Sequence, residues 1–413
     1  MLMVSDLLEV ARSSQGSEAL RSRSPLRFGK QEGQAPVVVW NVNRVCNMTC
    51  PHCYAAARPV GNGQSAPTSF EASDLSTEEG RTLLEALAAN GVRVVIFSGG
   101  EPLLREDLFE LIVHAKSLGL SAHLSSNGSL IDPATAERLR QVGVGYVGVS
   151  IDGLPAYNDA YRGMEGGYGK ALAGLRNARG AGLRTGMRMT LTRENGSHLG
   201  PLLDVAREEG FDRFYVSHLV YAGRAARLTG EDLAPGESRA LLLDLFARAE
   251  ALLEVGEPLR IVTGANDSDG PLLLGWVASR HGAQAAERVE ALLLKRGGNS
   301  AGEGMVNIDA RGKVHPDQFW QRAVLGDVRR HDWAAIMAHP LREQLARRVE
   351  WLEGRCAQCR FKPLCRGSHR ERALSVTGSI QGSDPACVMT DAEIGLSGHS
   401  ETGGDDAARM AAV

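Results

Sequence analysis

The sequence lacks the features of membrane-spanning and polyanion-binding proteins. No uninterrupted apolar run approaches the ~18 residues that a membrane-spanning helix needs. Neither sign of charge dominates, because 46 basic residues stand against 49 acidic ones and the formal net charge is −3. Long basic blocks are also absent, so bulk attraction to nucleic acid or to anionic membranes is not indicated.

The N-terminus lacks the order of a secretory signal, in which a basic segment precedes an apolar one. Asp6 and Glu9 interrupt its apolar residues. We therefore expect a cytoplasmic protein. With 413 residues, of which 43% are hydrophobic, the chain can bury a substantial core, and its length allows two or three domains.

Cysteine is scarce, but its placement is informative. The seven cysteines form two tight groups far apart in the chain: Cys46, Cys50 and Cys53, then Cys356, Cys359, Cys365 and Cys387. In a reducing cytoplasm, grouped thiols are typical of metal ligands rather than of disulfides.

Short β-branched runs alternate with amphipathic helical patterns from residue 37 to about 220, which predicts six parallel βα units. The predicted strands are Val37–Asn43, Val92–Phe97, Leu120–Ser125, Tyr146–Ile151, Arg184–Leu191 and Arg213–His218. The predicted helices are Thr77–Asn90, Asp107–Leu118, Pro133–Val142, Tyr168–Ala181 and His198–Glu209. Periodicity does not distinguish an open sheet from a partial barrel, but both place ligands at the C-terminal strand ends.

The rest of the chain divides into further segments. Residues 1–36 form a lead segment before the first strand, and 37–220 form the α/β domain. Residues 221–298 have mostly helical patterns and are predicted to form a bridge packed on that domain. Residues 299–395 begin with a predicted hairpin and end in the second cysteine group. Residues 396–413, rich in Gly, Asp, Ala and Ser, are predicted to be a disordered tail.

The first cysteine group follows the first strand directly, with three and then two intervening residues. Three thiolates leave one iron of a [4Fe–4S] cluster without a protein ligand, whereas a cluster that only transfers electrons normally has four. An open iron can bind a substrate or a cofactor. The alternative is a structural zinc site with a fourth ligand such as His52.

A second motif, Ser98-Gly99-Gly100-Glu101-Pro102, ends the second strand. Together the two motifs resemble those of the radical S-adenosylmethionine (SAM) superfamily. The resemblance implies a partial (β/α)6 barrel, a [4Fe–4S] cluster with an open iron, and SAM as cofactor. In that family the glycines let the backbone approach the ligand closely, and the glutamate accepts from the methionine ammonium of SAM.

The same resemblance implies further SAM contacts on later strands. Ser126 and Asn127 lie in a turn like the family's TNG turn, although Ser126 stands where the family has threonine. The remaining contacts that it implies are Tyr54, Ser150 and Arg188. Each has another interpretation, because Ser and Asn are ordinary turn residues and Arg188 could form a structural ion pair.

The second cysteine group resembles the SPASM domain, which holds auxiliary [4Fe–4S] clusters. Asn299, Asp317 and His369 stand where that domain's first, second and sixth cysteines would be. One auxiliary site is therefore missing, and the other keeps four thiolates, as in a closed cluster for electron transfer or local structure. A four-cysteine zinc site is the alternative.

Longer segments resemble the NirJ family, the radical SAM proteins of haem d1 biosynthesis. These include 214–224, 263–270 and 307–320. This resemblance implies an iron tetrapyrrole substrate, 12,18-didecarboxysiroheme, from which a 5′-deoxyadenosyl radical initiates removal of two propionate side chains. It also implies an electron donor such as flavodoxin or ferredoxin.

A substrate with several carboxylates requires local cationic groups in a slightly acidic protein. The end of the sixth strand and the segment after it supply His218 and Arg224, and the hairpin supplies His315. We expect Arg224 to pair a propionate, and His218 or His315 to ligate the substrate iron or deliver a proton. A buried core histidine is the alternative for either.

Two other functions remain open from the sequence. One is another SPASM enzyme such as a peptide maturase, although 36 residues before the first strand are too few for a winged-helix recognition domain. The other is a non-enzymatic iron–sulfur or zinc scaffold, against which the Gly-Gly-Glu motif and Arg188 argue.

Overall fold

The strands of the protein form one large sheet and one small one. The computed structural model describes residues 1–13, 35–60 and 73–396. The strands are β1 Val37–Asn41, β2 Val45–Cys46, β3 Arg58–Pro59, β4 Val94–Ser98, β5 Ser121–Ser126, β6 Tyr146–Ser150, β7 Thr185–Leu191, β8 Arg213–His218, β9 Arg260–Gly264, β10 Met305–Ile308, β11 Lys313–His315 and β12 Gly326–Asp327.

The six predicted strands are adjacent and parallel in chain order, which confirms the α/β fold class. The large sheet has the order β12-β11-β10-β1-β4-β5-β6-β7-β8-β9, and every pair from β10 to β9 is parallel. Their carboxyl ends therefore meet at one edge, where ligands bind in folds of this type.

Helices follow most of these strands. They are α1 Val4–Arg12, α2 Thr77–Ala89, α3 Leu108–Ser117, α4 Pro133–Gln141, α5 Pro155–Arg162, α6 Gly167–Gly180, α7 Leu199–Glu208, α8 Pro235–Glu254, α9 Asp269–His281, α10 Ala283–Arg296, α11 Trp333–Met337, α12 Pro340–Ala346, α13 Gly354–Gln358, α14 Lys362–Cys365, α15 Arg370–Thr377 and α16 Asp391–Ile394. The five predicted helices are α2, α3, α4, α6 and α7. A Ser76–Glu79 capping box begins α2, which satisfies backbone N–H groups that have no partner within the helix.

Helix α5 has no counterpart among the predicted elements. It begins with Pro155 and ends at Gly163 in the left-handed conformation. Its buried residues, Asn158 and Arg162, are polar. Apolar periodicity, which is the usual signal for a helix, therefore does not reveal it.

The sheet extends beyond the predicted six strands at both edges. The segment predicted as a helical bridge contains β9, which pairs in parallel with β8. In the hairpin after residue 299, β10 and β11 are antiparallel as expected, but β10 also pairs in parallel with β1. Both additions pair strands that are distant in the chain, which local periodicity does not reveal.

The N-terminal segment is attached to the β9 edge. Leu2 and Thr263 exchange backbone hydrogen bonds of 2.6 and 2.9 Å, and Ser5 Oγ accepts from Ile261 N at 2.8 Å. Residues 14–34 of the predicted lead segment and 397–413 of the predicted tail lie outside the described residues.

One continuous apolar core joins the sheet to its helices, and it includes the fully buried Trp40, Phe97, Phe214 and Phe246. A smaller apolar cluster surrounds the first cysteine group. Packing in this core holds the strands in place. The polar residues at their carboxyl ends lie outside the core and are available to bind a ligand.

Candidate functional site

The first cysteine group lies in a loop that begins at the end of β2. Short parallel pairing of β2 with β3 closes this loop, with Cys46 opposite Pro59. Cys46 and Cys50 are buried, Cys53 is half-buried, and all three are free thiols. Burial raises the pKa of Cys46 to about 12 and raises that of Cys50 as well. Binding a metal cluster would therefore displace protons from these thiols.

Nitrogen donors approach two of these sulfurs. Asn127 Nδ2 lies 3.8 Å from Cys46 Sγ, and Arg162 Nη1 lies 3.8 Å from Cys50 Sγ. Three thiols in one loop, two of them approached by such donors, fit a [4Fe–4S] cluster with one iron left open.

Glycine is required at the end of β4 because this strand end lies directly against the segment that leads into the cysteine loop. Gly99 has φ +143°, and a Cβ there would lie 2.8 Å from Asn43 O. A Cβ on Gly100 would lie 1.9 Å from Val45 O. In this structure the glycines therefore allow the chain to approach itself.

Glu101 is fully buried and connects two strand ends. It accepts hydrogen bonds from Ser126 Oγ at 2.9 Å, Asn127 N at 2.7 Å and Leu103 N at 3.2 Å. Burial raises the pKa of Glu101 to about 7 despite these donors. A carboxylate offers about four acceptor positions, so one remains for a ligand.

The structure brings Ser126 and Asn127 to Glu101 and to the cysteine loop. Asn127 Nδ2 donates to Asn47 Oδ1 at 2.7 Å, which ties the end of β5 to that loop. Tyr54 also joins two strand ends, since its hydroxyl lies 3.3 Å from Asn41 Oδ1 and 3.2 Å from Ser98 Oγ. Burial raises the pKa of Tyr54 to about 12.

Arg188 is a half-buried cation at the same edge. It pairs in register with Ser150 on β6, and its Nη1 donates to Ser125 Oγ at 2.7 Å. A Cβ on Gly148 would lie 2.3 Å from Arg188 Nε, so glycine makes room for the side chain. Among the described residues Arg188 pairs with no carboxylate, which leaves its charge for a ligand.

Asp152 and Arg162 form a buried ion pair beside the cysteine loop that the sequence did not predict. Their closest atoms, Asp152 Oδ2 and Arg162 Nη2, are 2.6 Å apart. His52 Nε2 lies 3.2 Å from the same carboxylate oxygen, and its ring stacks on Tyr161. Thus His52, the proposed fourth ligand of the zinc alternative, is directed to Asp152.

The three candidate substrate residues lie in different surroundings. His218 is buried, with Nε2 3.1 Å from Asp269 Oδ2. His315 Nδ1 lies 2.8 Å from Ala323 O. Arg224, expected to meet a substrate carboxylate, lies against the cysteine loop, where its Nε donates to Cys50 O at 2.8 Å.

The second cysteine group surrounds one cavity. All four thiols, Cys356, Cys359, Cys365 and Cys387, line it together with apolar side chains such as Pro271 and Met389. Arg355 Nη1 lies 3.2 Å from Cys387 Sγ. Four thiols around one cavity fit an auxiliary [4Fe–4S] cluster.

Asn299, Asp317 and His369, which stand where cysteines of the missing auxiliary site would be, do not all contact one another. His369 Nε2 lies 3.4 Å from Asp317 Oδ2, and both residues are buried. Asn299 instead donates to Asp267 Oδ2 at 3.1 Å and accepts from Arg348 at 2.6 Å.

Neither cysteine group has the geometry of a single-ion site. Within residues 1–13, 35–60 and 73–396, no three His, Cys, Asp or Glu side chains are arranged to hold one metal ion. Among the described residues, no helix combines the length and the hydropathy of a membrane-spanning segment.

Comparisons with known proteins agree with this geometry. The pattern of the Radical SAM superfamily matches residues 40–206. Pre-heme d1 synthase of Dinoroseobacter shibae is 41% identical over 363 residues, which cover 87% of this chain and 88% of the relative. Fe-coproporphyrin III synthase of Methanosarcina barkeri is 40% identical over 376 residues, covering 90% and 91%.

The fold also matches a solved structure, that of native anSMEcpe with bound AdoMet. The TM-score is 0.65 at 18% identity, over 85% of this chain and 93% of that one. At this identity the similarity concerns the fold alone.

Proposed function

The chain belongs to the radical SAM superfamily, and on this premise we propose that it removes two propionate side chains from 12,18-didecarboxysiroheme in haem d1 biosynthesis. The observation that carries the proposal is the 41% identity to a pre-heme d1 synthase over 87% of the chain. The family identifies the cofactors as SAM and a [4Fe–4S] cluster.

In this proposal Cys46, Cys50 and Cys53 hold the cluster and leave one iron open to SAM. When bound, the cluster supplies the electron that cleaves SAM, and the resulting carbon radical takes hydrogen from the substrate. Glu101 binds the methionine ammonium with its remaining acceptor position. Arg188, which pairs with no carboxylate among the described residues, binds the methionine carboxylate.

The proposed SAM site also includes Tyr54, Ser126, Asn127 and Ser150. The hydrogen bonds of Ser126 and Asn127 support this, because they hold Glu101 at the end of β4. A buried, prearranged carboxylate loses little side-chain freedom when the ammonium binds.

His218 and His315 are proposed to act on the substrate by holding its iron or delivering a proton. The pairing of His218 with Asp269 supports an oriented ring, since a carboxylate fixes which ring nitrogen carries the proton. His315 is likewise oriented at both ring nitrogens, since Nδ1 lies 2.8 Å from Ala323 O and Nε2 lies 3.6 Å from Asp309 Oδ2.

The second cysteine group is proposed to hold an auxiliary [4Fe–4S] cluster that serves electron transfer or local structure. Its four thiols line one cavity, and Arg355 donates to Cys387 Sγ. The electron for SAM cleavage is proposed to come from a flavodoxin or a ferredoxin.

The test is turnover with the purified tetrapyrrole. The anaerobically reconstituted chain is incubated with SAM, a strong reductant and 12,18-didecarboxysiroheme, and the products are analysed by mass spectrometry. We expect loss of two propionate side chains together with 5′-deoxyadenosine. SAM cleavage without any change of the tetrapyrrole would contradict the proposal.

A second candidate is the activity named for the Methanosarcina relative, because that protein is 40% identical over 90% of this chain. The same experiment separates the two functions. Formation of Fe-coproporphyrin III would assign the second activity and exclude the first.

A further inference from the structure

The segment after β8 holds the cysteine loop by three hydrogen bonds from one residue. Arg224 N donates to Cys53 O at 3.0 Å, its Nε donates to Cys50 O at 2.8 Å, and its Nη1 donates to Ala57 O at 2.7 Å. Arg224 and Cys50 are 174 positions apart in the chain. These bonds attach a remote segment to the peptide groups that carry two of the three thiols.

Gly223 allows this close contact. It has φ +58°, and a Cβ at this position would lie 2.2 Å from Tyr54 O and 2.6 Å from Cys53 O. Any side chain there would push the segment away from the loop. Gly223 and Arg224 therefore form one contact surface. Gly223 packs against the backbone of the cysteine loop, and the Arg224 side chain extends across that loop.

Within the described part of the chain, Arg162 and Arg224 lie beside Cys50, and they differ in whether a carboxylate neutralises them. Arg162 is paired with Asp152 at 2.6 Å. Arg224 forms no ion pair with any carboxylate in the described ranges, and both guanidinium nitrogens that donate there bond to neutral carbonyls. Its positive charge therefore acts on the loop without local compensation, and its half-buried position limits screening by solvent.

We propose that Arg224 is a positioning residue that fixes the cysteine loop and, through its charge, raises the reduction potential of the cluster held by that loop. Reduction adds negative charge to the cluster, which a neighbouring cation stabilises, and the potentials of iron–sulfur clusters depend on local charge. The inference rests on the cluster of the proposed function, but not on the tetrapyrrole.

Three variants separate the charge of Arg224 from its hydrogen bonds. R224Q removes the charge, whereas R224K keeps the charge but lacks the planar fork that reaches two carbonyls. R227Q is the matched control, because Arg227 lies in the same short helix, Gly223–Arg227, but is exposed. All are made in the full chain and reconstituted anaerobically.

The first measurement is the midpoint potential of the open cluster, followed by electron paramagnetic resonance without SAM. We expect R224Q to lower the ratio of reduced to oxidised cluster at a fixed potential about tenfold, which corresponds to about 59 mV for one electron. The midpoint potentials of R224K and R227Q should stay close to that of the wild-type chain. If R224Q titrates like R227Q, the claim about charge is wrong.

The second measurement is the rate at which a chelator removes iron. R224Q and R224K should both lose iron from the first site several times faster than R227Q, because each leaves a loop carbonyl without its donor. Wild-type rates in both would overturn the positioning role. Neither readout uses the tetrapyrrole, so these results can be interpreted even if the haem d1 assignment fails. A wild-type chain that binds no cluster would overturn both the proposed function and the role of Arg224.

Discussion

Glu101 Oε2 accepts a hydrogen bond from the backbone N–H of Asn127 at 2.7 Å, which joins the carboxyl ends of β4 and β5. The carboxylate is fully buried and receives two further donors. Because these three donors are neutral, the ionised form of the carboxylate is left to pair with a cationic ligand group. This relationship underlies the first two predictions.

Replacing Glu101 with glutamine should weaken SAM binding by tenfold or more, because a hydrogen bond between charged groups contributes about 1.5–3 kcal/mol. Iron content should not change, since Glu101 is not a proposed cluster ligand. Equilibrium binding of SAM to the reconstituted protein measures the effect. E106Q is the control, because Glu106 is exposed and lies, like Glu101, in the segment between β4 and α3. Equal affinities in the two variants would show that Glu101 does not bind SAM.

The affinity for SAM should depend on pH near neutrality. Burial raises the pKa of Glu101 to about 7, so the free protein carries the carboxylate above this pH and the neutral acid below it. The ammonium of SAM pairs only with the carboxylate, so affinity should fall about tenfold per pH unit below 7. Binding titrations at pH 6, 7 and 8 test this. E101Q should abolish the dependence, and an unchanged slope in that variant would assign the titration to another group.

Iron content should follow the two cysteine groups separately. The wild-type chain should bind about eight irons if both groups hold [4Fe–4S] clusters. Changing Cys46, Cys50 and Cys53 together to alanine should leave about four irons and abolish SAM cleavage. Changing Cys356, Cys359, Cys365 and Cys387 together should also leave about four, and it should keep the SAM-dependent change in the spectrum of the open cluster. SAM cleavage by the first variant would refute the assignment of the open cluster.

The buried pair of Asp152 and Arg162 should stabilise the cysteine loop. Although burial alone raises the pKa of Asp152, Arg162 and His52 hold it below its usual value. D152N should leave the guanidinium charge unpaired and lower the free energy of unfolding by about 3–5 kcal/mol. Calorimetric melting and the rate of iron loss measure this. D204N, at an exposed carboxylate, should change neither, and a D152N melting point equal to that of D204N would contradict the prediction.

Local features of the sequence account for the fold of the α/β domain. The β-branched runs and the helical apolar patterns between them predicted six strands that the structure places side by side in chain order. The Ser76–Glu79 capping box at the start of α2 is also a local feature, because its two residues are only three positions apart. Helix α5 was missed because its buried residues are polar.

The sequence by itself determined the chemistry of this protein, since the spacing of Cys46, Cys50 and Cys53 and the Gly-Gly-Glu motif are contiguous patterns of residue types. Tertiary structure decided what surrounds that chemistry. The pairing of β10 with β1, the contact of Arg162 with a sulfur 112 positions away, and the contacts of Arg224 with the cysteine loop all join remote segments. Such contacts depend on how the whole chain packs, and neither periodicity nor motif spacing contains that information.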